Sequence, residues 1–181
     1  IVVHGGQVLL TLDHSGCGLG AGAEDVFGLK RARLVNAAGT TIADGIGFAN
    51  GVAALADGRV LVAATRERAL YPVALKEDGA VKQEAIRLGA APDNLSISDD
   101  GRIIVALHPS LPAIGLQRRL GVGRSPSRIV EIDPETGHRR LLFDDPKASM
   151  ISAATVAINT RNLLVIGSVI DSGIVVCRSA S

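Results

Sequence analysis

Oxygen-bearing side chains recur at a fixed distance before the tight turns of this sequence. Asn50 stands eight residues before Gly58, and Asp93 and Asn94 stand eight and seven residues before Gly101. The same count in the last repeat reaches Ala153 and Ala154, which offer no donor. Carboxylate and amide oxygens from neighbouring repeats suit a hard cation: Ca²⁺ takes six to eight such ligands with tolerant geometry. Zn²⁺ calls for His or Cys instead. The same Asn and Asp residues also suit turns that lead into strands, so spacing alone leaves both readings open. Seven residues beyond the turns stand Asp13, Thr65, His108 and Ser168. Asp13-His14 is therefore a second candidate for a charged site, and His108-Pro109 either carries chemistry or opens a turn.

Other features point away from different chemistries. Gly16, Gly18, Gly20 and Gly22 imitate a nucleotide loop, but no βαβ pattern follows and no Walker lysine is present, which predicts a flexible loop. Gly-x-Ser-x-Gly is absent, and Ser15 lacks the strand-to-helix elbow that exposes a nucleophile. The pattern favours a metal-activated mechanism over a covalent one. From Pro109 to Arg128 there are four arginines and no acid, the composition of a solvated insertion or of a surface for an anionic partner.

The elements that must position these residues repeat. A short apolar strand, a polar turn and a second, strongly apolar strand occur four times. The turns are Gly5-Gly6-Gln7, Asp57-Gly58-Arg59, Asp100-Gly101-Arg102 and Thr160-Arg161-Asn162, and the apolar runs after them cover 8–12, 60–64, 103–107 and 163–167. Asp-Gly between apolar runs signals a hairpin because Gly accepts positive φ. Amphipathic pairs such as 70–75 with 81–88, and 128–132 with 138–143, complete about four strands per unit. A unit of four strands with a period of roughly 40 to 60 residues predicts an all-β protein built of propeller blades. Helical character is expected only over 24–31. Four blades leave sheet faces uncovered, so the single domain over 1–181 is expected to be partial, with roughly two further N-terminal blades supplied in cis.

Composition narrows the partners. Hydrophobic residues make up 47% of the 181 and aromatics only 2%, so aliphatic side chains must fill the core. With no Trp and a net charge of +1, stacking platforms and electrostatic attraction for nucleic acid are lacking. No apolar run approaches the ~18 residues that span a bilayer. The chain opens at Ile1 without Met or a signal-like segment, which suggests processing or truncation upstream. A soluble protein is expected, and its compartment stays open between cytoplasm and periplasm or exterior. Cys17 and Cys177 could pair with each other, stay free or pair elsewhere.

Taken in order, Leu12-Asp13-His14, Glu24-Asp25-Val26-Phe27-Gly28-Leu29, Phe48-Ala49-Asn50-Gly51-Val52, Pro92-Asp93-Asn94-Leu95-Ser96 and His108-Pro109 resemble paraoxonases and their gluconolactonase-like bacterial relatives. Ser152-Ala153-Ala154-Thr155-Val156-Ala157, Leu163-Leu164-Val165-Ile166-Gly167-Ser168-Val169 and Cys177 resemble that group's final blade. The resemblance implies a six-bladed propeller with two Ca²⁺ ions in a central tunnel. It also implies catalytic-calcium ligands at Asn50, Asp93 and Asn94, a structural-calcium ligand at Asp13, and an active-site histidine at His108. The implied reaction is hydrolysis of a lactone or aryl ester by water, with Ca²⁺ stabilising the oxyanion. Leu12 departs from the family, which usually places a ligand Asn there. The resemblance also puts an acidic ligand, further histidines and a disulfide partner for Cys177 in an N-terminal half. The competing expectation is a non-catalytic propeller that binds a ligand or protein and keeps a degenerate metal site.

Overall fold

The computed structural model describes residues 1–76 and 79–178. They fall into two compact units, Ile1–Pro92 and Asp93–Ser181. The first unit opens with an antiparallel sheet of β1 (Val2–His4), β2 (Gln7–Leu12), β3 (Ala32–Asn36) and β4 (Thr41–Ile46), paired in chain order. Helix α1 (Leu19–Phe27) lies between β2 and β3. A second sheet follows with β5 (Ala49–Ala54), β6 (Arg59–Ala64), β7 (Ala69–Lys76) and β8 (Gly79–Lys82), while the short β9 (Ile86–Arg87) also pairs with β7. The expected strand over 81–88 is thus split in two.

The second unit repeats the plan. Strand β10 (Ala91–Ile97), whose first two residues precede the boundary, pairs with β11 (Ile103–His108), then β12 (Ser127–Ile132) and β13 (Arg139–Asp145). Helix α2 (Leu111–Leu120) is inserted between β11 and β12. The last sheet is three-stranded: β14 (Ala154–Asn159), β15 (Leu163–Ser168) and β16 (Ile174–Arg178).

Local chemistry explains the hairpins. Gly5 and Gly6 both have positive φ, 55° and 74°, and let His4 pair with Gln7 across a two-residue turn. The Asp-Gly turns are one residue longer. Leu55 N–H donates to Arg59 O at 2.8 Å, and Gly58 at φ 87° occupies the left-handed position. Ser98 and Arg102 repeat the arrangement around Gly101. In the last sheet Thr160 N–H donates to Leu163 O, closing a shorter turn over Arg161 and Asn162.

The cores are aliphatic, as the composition requires. Leu9, Leu34, Ile46, Val60, Val62 and Val73 pack together in the first unit, and Ile104, Ile129, Ile151, Leu164 and Ile166 in the second. Every residue of β11 is buried, which is why its sequence reads as an unbroken apolar run rather than an alternation. Each fully buried Leu or Ile contributes roughly 2 to 3 kcal/mol.

The helices differ from expectation. α1 starts five residues before the anticipated helix and runs through Gly20 and Gly22, converting part of the expected flexible loop into helix. It stops at Gly28, whose φ of 64° ends the helix in the left-handed conformation. α2 was not anticipated at all, although its signals are local. Ser110 Oγ caps Ala113 N–H, Pro112 sits in the first turn, Arg118 and Arg119 face the negative C-terminal end, and Gly121 closes the helix at φ 66°.

Candidate functional site

The second unit brings three of the five expected site residues together. His108 ends β11, and its Nε2–H donates to Asp93 Oδ2 at 2.9 Å. Both side chains are nearly enclosed, 3% and 10% exposed. Thr155 Oγ1 donates a short hydrogen bond to the same Asp93 oxygen. Asn94 Nδ2 donates to Thr155 O at 3.0 Å and to Asp93 Oδ1 at 3.3 Å. Asp93 therefore has both oxygens engaged, Oδ2 twice. His108 Nδ1 is buried with no hydrogen-bond partner among the described residues.

Thr155 was missed by counting. The count assumed equal turns, but the β14–β15 turn is one residue shorter than the Asp-Gly turns. Measured from the residue whose N–H closes each turn, Asn50, Asp93 and Thr155 each stand five positions before it, at Leu55, Ser98 and Thr160. Thr155, rather than Ala153 or Ala154, holds the equivalent place in the last sheet. Backbone geometry agrees: Phe48 and Ala153, each two residues earlier, both have positive φ, 62° and 52°. Register also shifts just beyond each of them, between Ala49 and Val52 and between Ala154 and Val156. Such bulges re-aim a side chain without ending the strand.

Asn50 and Asp13 belong to the first unit. Asn50 lies half-buried at its bulge; its carbonyl accepts Thr11 Oγ1 at 2.6 Å, and its side-chain amide has no hydrogen bond among the described residues. Asp13 follows β2 with its side chain 60% exposed and pairs with His14 Nδ1 at 3.3 Å. The other His14 nitrogen meets Asp25 of α1 at 2.9 Å, and Asp25 in turn pairs with Arg66 at 2.7 Å. Burial opposes a charge on His14, but the hydrogen bonds and charges of Asp25 and Asp13 outweigh it and hold its pKa above the ordinary histidine value. The hydrogen bond from Ser15 Oγ, with help from the Ser15 amide, holds the Glu24 carboxyl below the ordinary glutamate range despite burial. These contacts tie α1 to the end of β2, and they account for helix where the glycines alone suggested loop.

Among the described residues, no three His, Cys, Asp or Glu side chains come together so as to hold a metal ion. The donors near Asp93 are one carboxylate, an amide and a hydroxyl, with no lysine or arginine paired to it among the described residues. That set is oxygen-rich and carries one formal negative charge, which fits a hard cation in kind and does not fit zinc. Cys17 and Cys177 are both free thiols, the former exposed. No helix is long and apolar enough to cross a membrane.

Comparison with known proteins adds the larger context. Residues 23–177 match the family model described as Arylesterase. A search of the curated proteins returns no match. Among solved structures, a gluconolactonase from Xanthomonas campestris is similar at 17% identity and a TM-score of 0.53, covering 85% of this chain and 52% of that one. A luciferin-regenerating enzyme is similar at 14% identity and a TM-score of 0.50, covering 77% of this chain and 44% of that one. At such identities the likeness speaks for the fold, and the antiparallel sheets are blades of a propeller of this six-bladed class. The chain spans about half the length of the solved structures it resembles.

Proposed function

Because this chain belongs to the arylesterase family, we propose that it forms part of a hydrolase that cleaves carboxylic esters or lactones with the help of bound Ca²⁺. The observation that carries the proposal is the enclosed Asp93–His108 pair, set beside the oxygen donors of Asn94 and Thr155 at the register where two adjacent sheets meet. In this reading Asp93 and Asn94 are ligands of the catalytic ion, the role the family resemblance also gives Asn50, and Asp13 is a ligand of a second, structural one. The chemistry that Ca²⁺ supplies when bound is stabilisation of negative charge on the carbonyl oxygen under attack.

The chain's own groups have definite parts. His108 donates Nε2–H to Asp93, so its lone pair rests on Nδ1, the atom without a partner. That nitrogen is the basic atom of the pair, and the hydrogen bond to Asp93 fixes the ring's tautomer and orientation. Asn94 is held by its amide nitrogen, which leaves its carbonyl oxygen to bind an ion. Histidines and an acidic ligand from the rest of the full-length protein complete the machinery.

The test is hydrolysis of aryl esters and of lactones by the full-length protein, before and after chelation, and in Asp93→Asn. Chelation is expected to lower kcat/KM by about 100-fold or more, with recovery on adding Ca²⁺, and Asp93→Asn to cause a comparable loss. Activity indifferent to chelation would overturn the calcium reading. The competing reading, a binding module with a lapsed site, draws on Leu12, which ends β2 beside Asp13 and has no donor atom. It predicts no turnover in either state.

A further inference from the structure

The residue before the left-handed Ala153 is held from a direction that the site itself does not use. Ser152 is fully buried, and its hydroxyl accepts Ser125 N–H at 2.8 Å and donates to Gln117 Oε1 at 2.7 Å, with Ser125 O as a longer alternative acceptor at 3.4 Å. Gln117 is itself buried, on the inner side of α2. The Ser152 main chain is pinned as well, N–H to Asp171 at 2.8 Å and carbonyl to Ser168 Oγ at 2.6 Å. Ala153 follows at φ 52°, a conformation that a residue with a Cβ keeps only where its surroundings over-determine it. Two residues after Ala153, just past its turn, the β14 bulge presents Thr155 to Asp93.

α2 thus reaches both groups that share one carboxylate oxygen. At its N-terminal end it is separated from His108 only by Pro109 and the capping Ser110. Toward its C-terminal end Gln117 grips Ser152 and, through Ala153, the strand start that carries Thr155. His108 Nε2 and Thr155 Oγ1 converge on Asp93 Oδ2 from the two ends of this strut. We infer that Gln117 is a positioning residue for the Asp93–His108 pair, acting through Ser152 and Thr155. The inference rests on the proposed role of that pair. If Gln117 loses its acceptor, the Ser152 hydroxyl keeps the Ser125 amide but must turn its proton to the longer contact with Ser125 O, and the tie from α2 to the turn before Thr155 is lost.

The experiment compares Gln117→Met, which keeps the length but removes the acceptor, with Gln117→Glu, which keeps it, in the full-length protein. Thr155→Val, which deletes only the last link, sets the size of the effect. Gln117→Met is expected to lower kcat about tenfold with KM changed less than about twofold, while Gln117→Glu stays within about twofold of the parent. The side-chain amide signals of Asn94 in NMR spectra are expected to move in Gln117→Met and Thr155→Val and to stay in place in Gln117→Glu. Unmoved Asn94 signals in Gln117→Met overturn the inference, and so do equal kcat losses in the Met and Glu variants. Should the Met variant not fold, Gln117→Asn, too short to reach Ser152, repeats the test. A parent without hydrolytic activity would defeat the proposed function, whereas the Asn94 signals would still decide the positioning role.

Discussion

Glu67 is a carboxylate of the first unit enclosed by donors from three other residues. Its side chain is 6% exposed, and it accepts Gly47 N–H and Tyr71 O–H, both at 2.8 Å, and Lys30 Nζ at 2.5 Å. A Cβ on Gly47 would lie 2.9 Å from Glu67 Cγ, so glycine is required there for close approach rather than for its backbone angles. Burial alone would raise the Glu67 pKa, but Lys30, the Gly47 amide and Tyr71 together hold it below the ordinary glutamate value. A depressed folded-state pKa means stabilisation that is complete above the unfolded value, about 4.3, and lost as pH falls through the folded one. Glu67→Gln is therefore expected to cost about 2 kcal/mol at pH 7 by urea denaturation and to lose less stability than the parent between pH 7 and pH 3. An unchanged midpoint at pH 7 would show that the carboxylate charge is not needed. The site residues teach a related lesson. Asn50, Asp93, Asn94 and His108 could be named from residue type and spacing, but Thr155 could not, because its hairpin lacks the glycine that marks the others.

At the scale of elements, the connection from β13 to β14 shows how a loop without regular structure becomes a fixed support. Asp145 Oδ1 accepts Ser149 N–H at 2.9 Å and Oδ2 accepts Met150 N–H at 2.7 Å and Ile151 N–H at 3.1 Å. Burial opposes its charge, yet these amides hold the carboxyl below the ordinary aspartate range. The carboxylate does for this loop what a capping residue does for a helix end, and the loop delivers the buried Ile151 and Ser152 just before β14. Asp145→Ala is expected to cost about 3 kcal/mol and to speed amide exchange at 149–151, since several donors lose one charged acceptor. Exchange rates equal to the parent's would show that the loop does not depend on Asp145. The strands of all four hairpins were legible because period-2 and fully apolar runs are local properties. α2 carried an equally local signature in Ser110, Pro112 and Gly121, but the four arginines and no acid over 109–128 pointed to a solvated insertion instead. α1 had such a signature only at its C-terminal end, in Gly28, since its start lacks a side-chain cap and contains two glycines.

For the whole molecule, the calcium proposal makes a prediction independent of turnover. An ion held only by the folded state stabilises it by mass action, so chelation is expected to lower the Tm of the full-length protein by several degrees and added Ca²⁺ to restore it, Mg²⁺ much less so. A Tm indifferent to both ions would remove the metal from the fold. The chain, half as long as the structures it resembles, contains two units with their own aliphatic cores. What the sequence alone determined is what depends on near neighbours: the class of fold, the hairpins, the aliphatic filling and the candidate donors Asn50, Asp93, Asn94, Asp13 and His108. Only the tertiary structure decided which of these share a cluster. It did so because the contact of Asp93 with Thr155, 62 residues apart, and the grip of Gln117 on Ser152 depend on turn length, bulge position and an inserted helix. A change of one residue in a turn shifts every side chain beyond it, so contacts between distant strands cannot be read from local spacing.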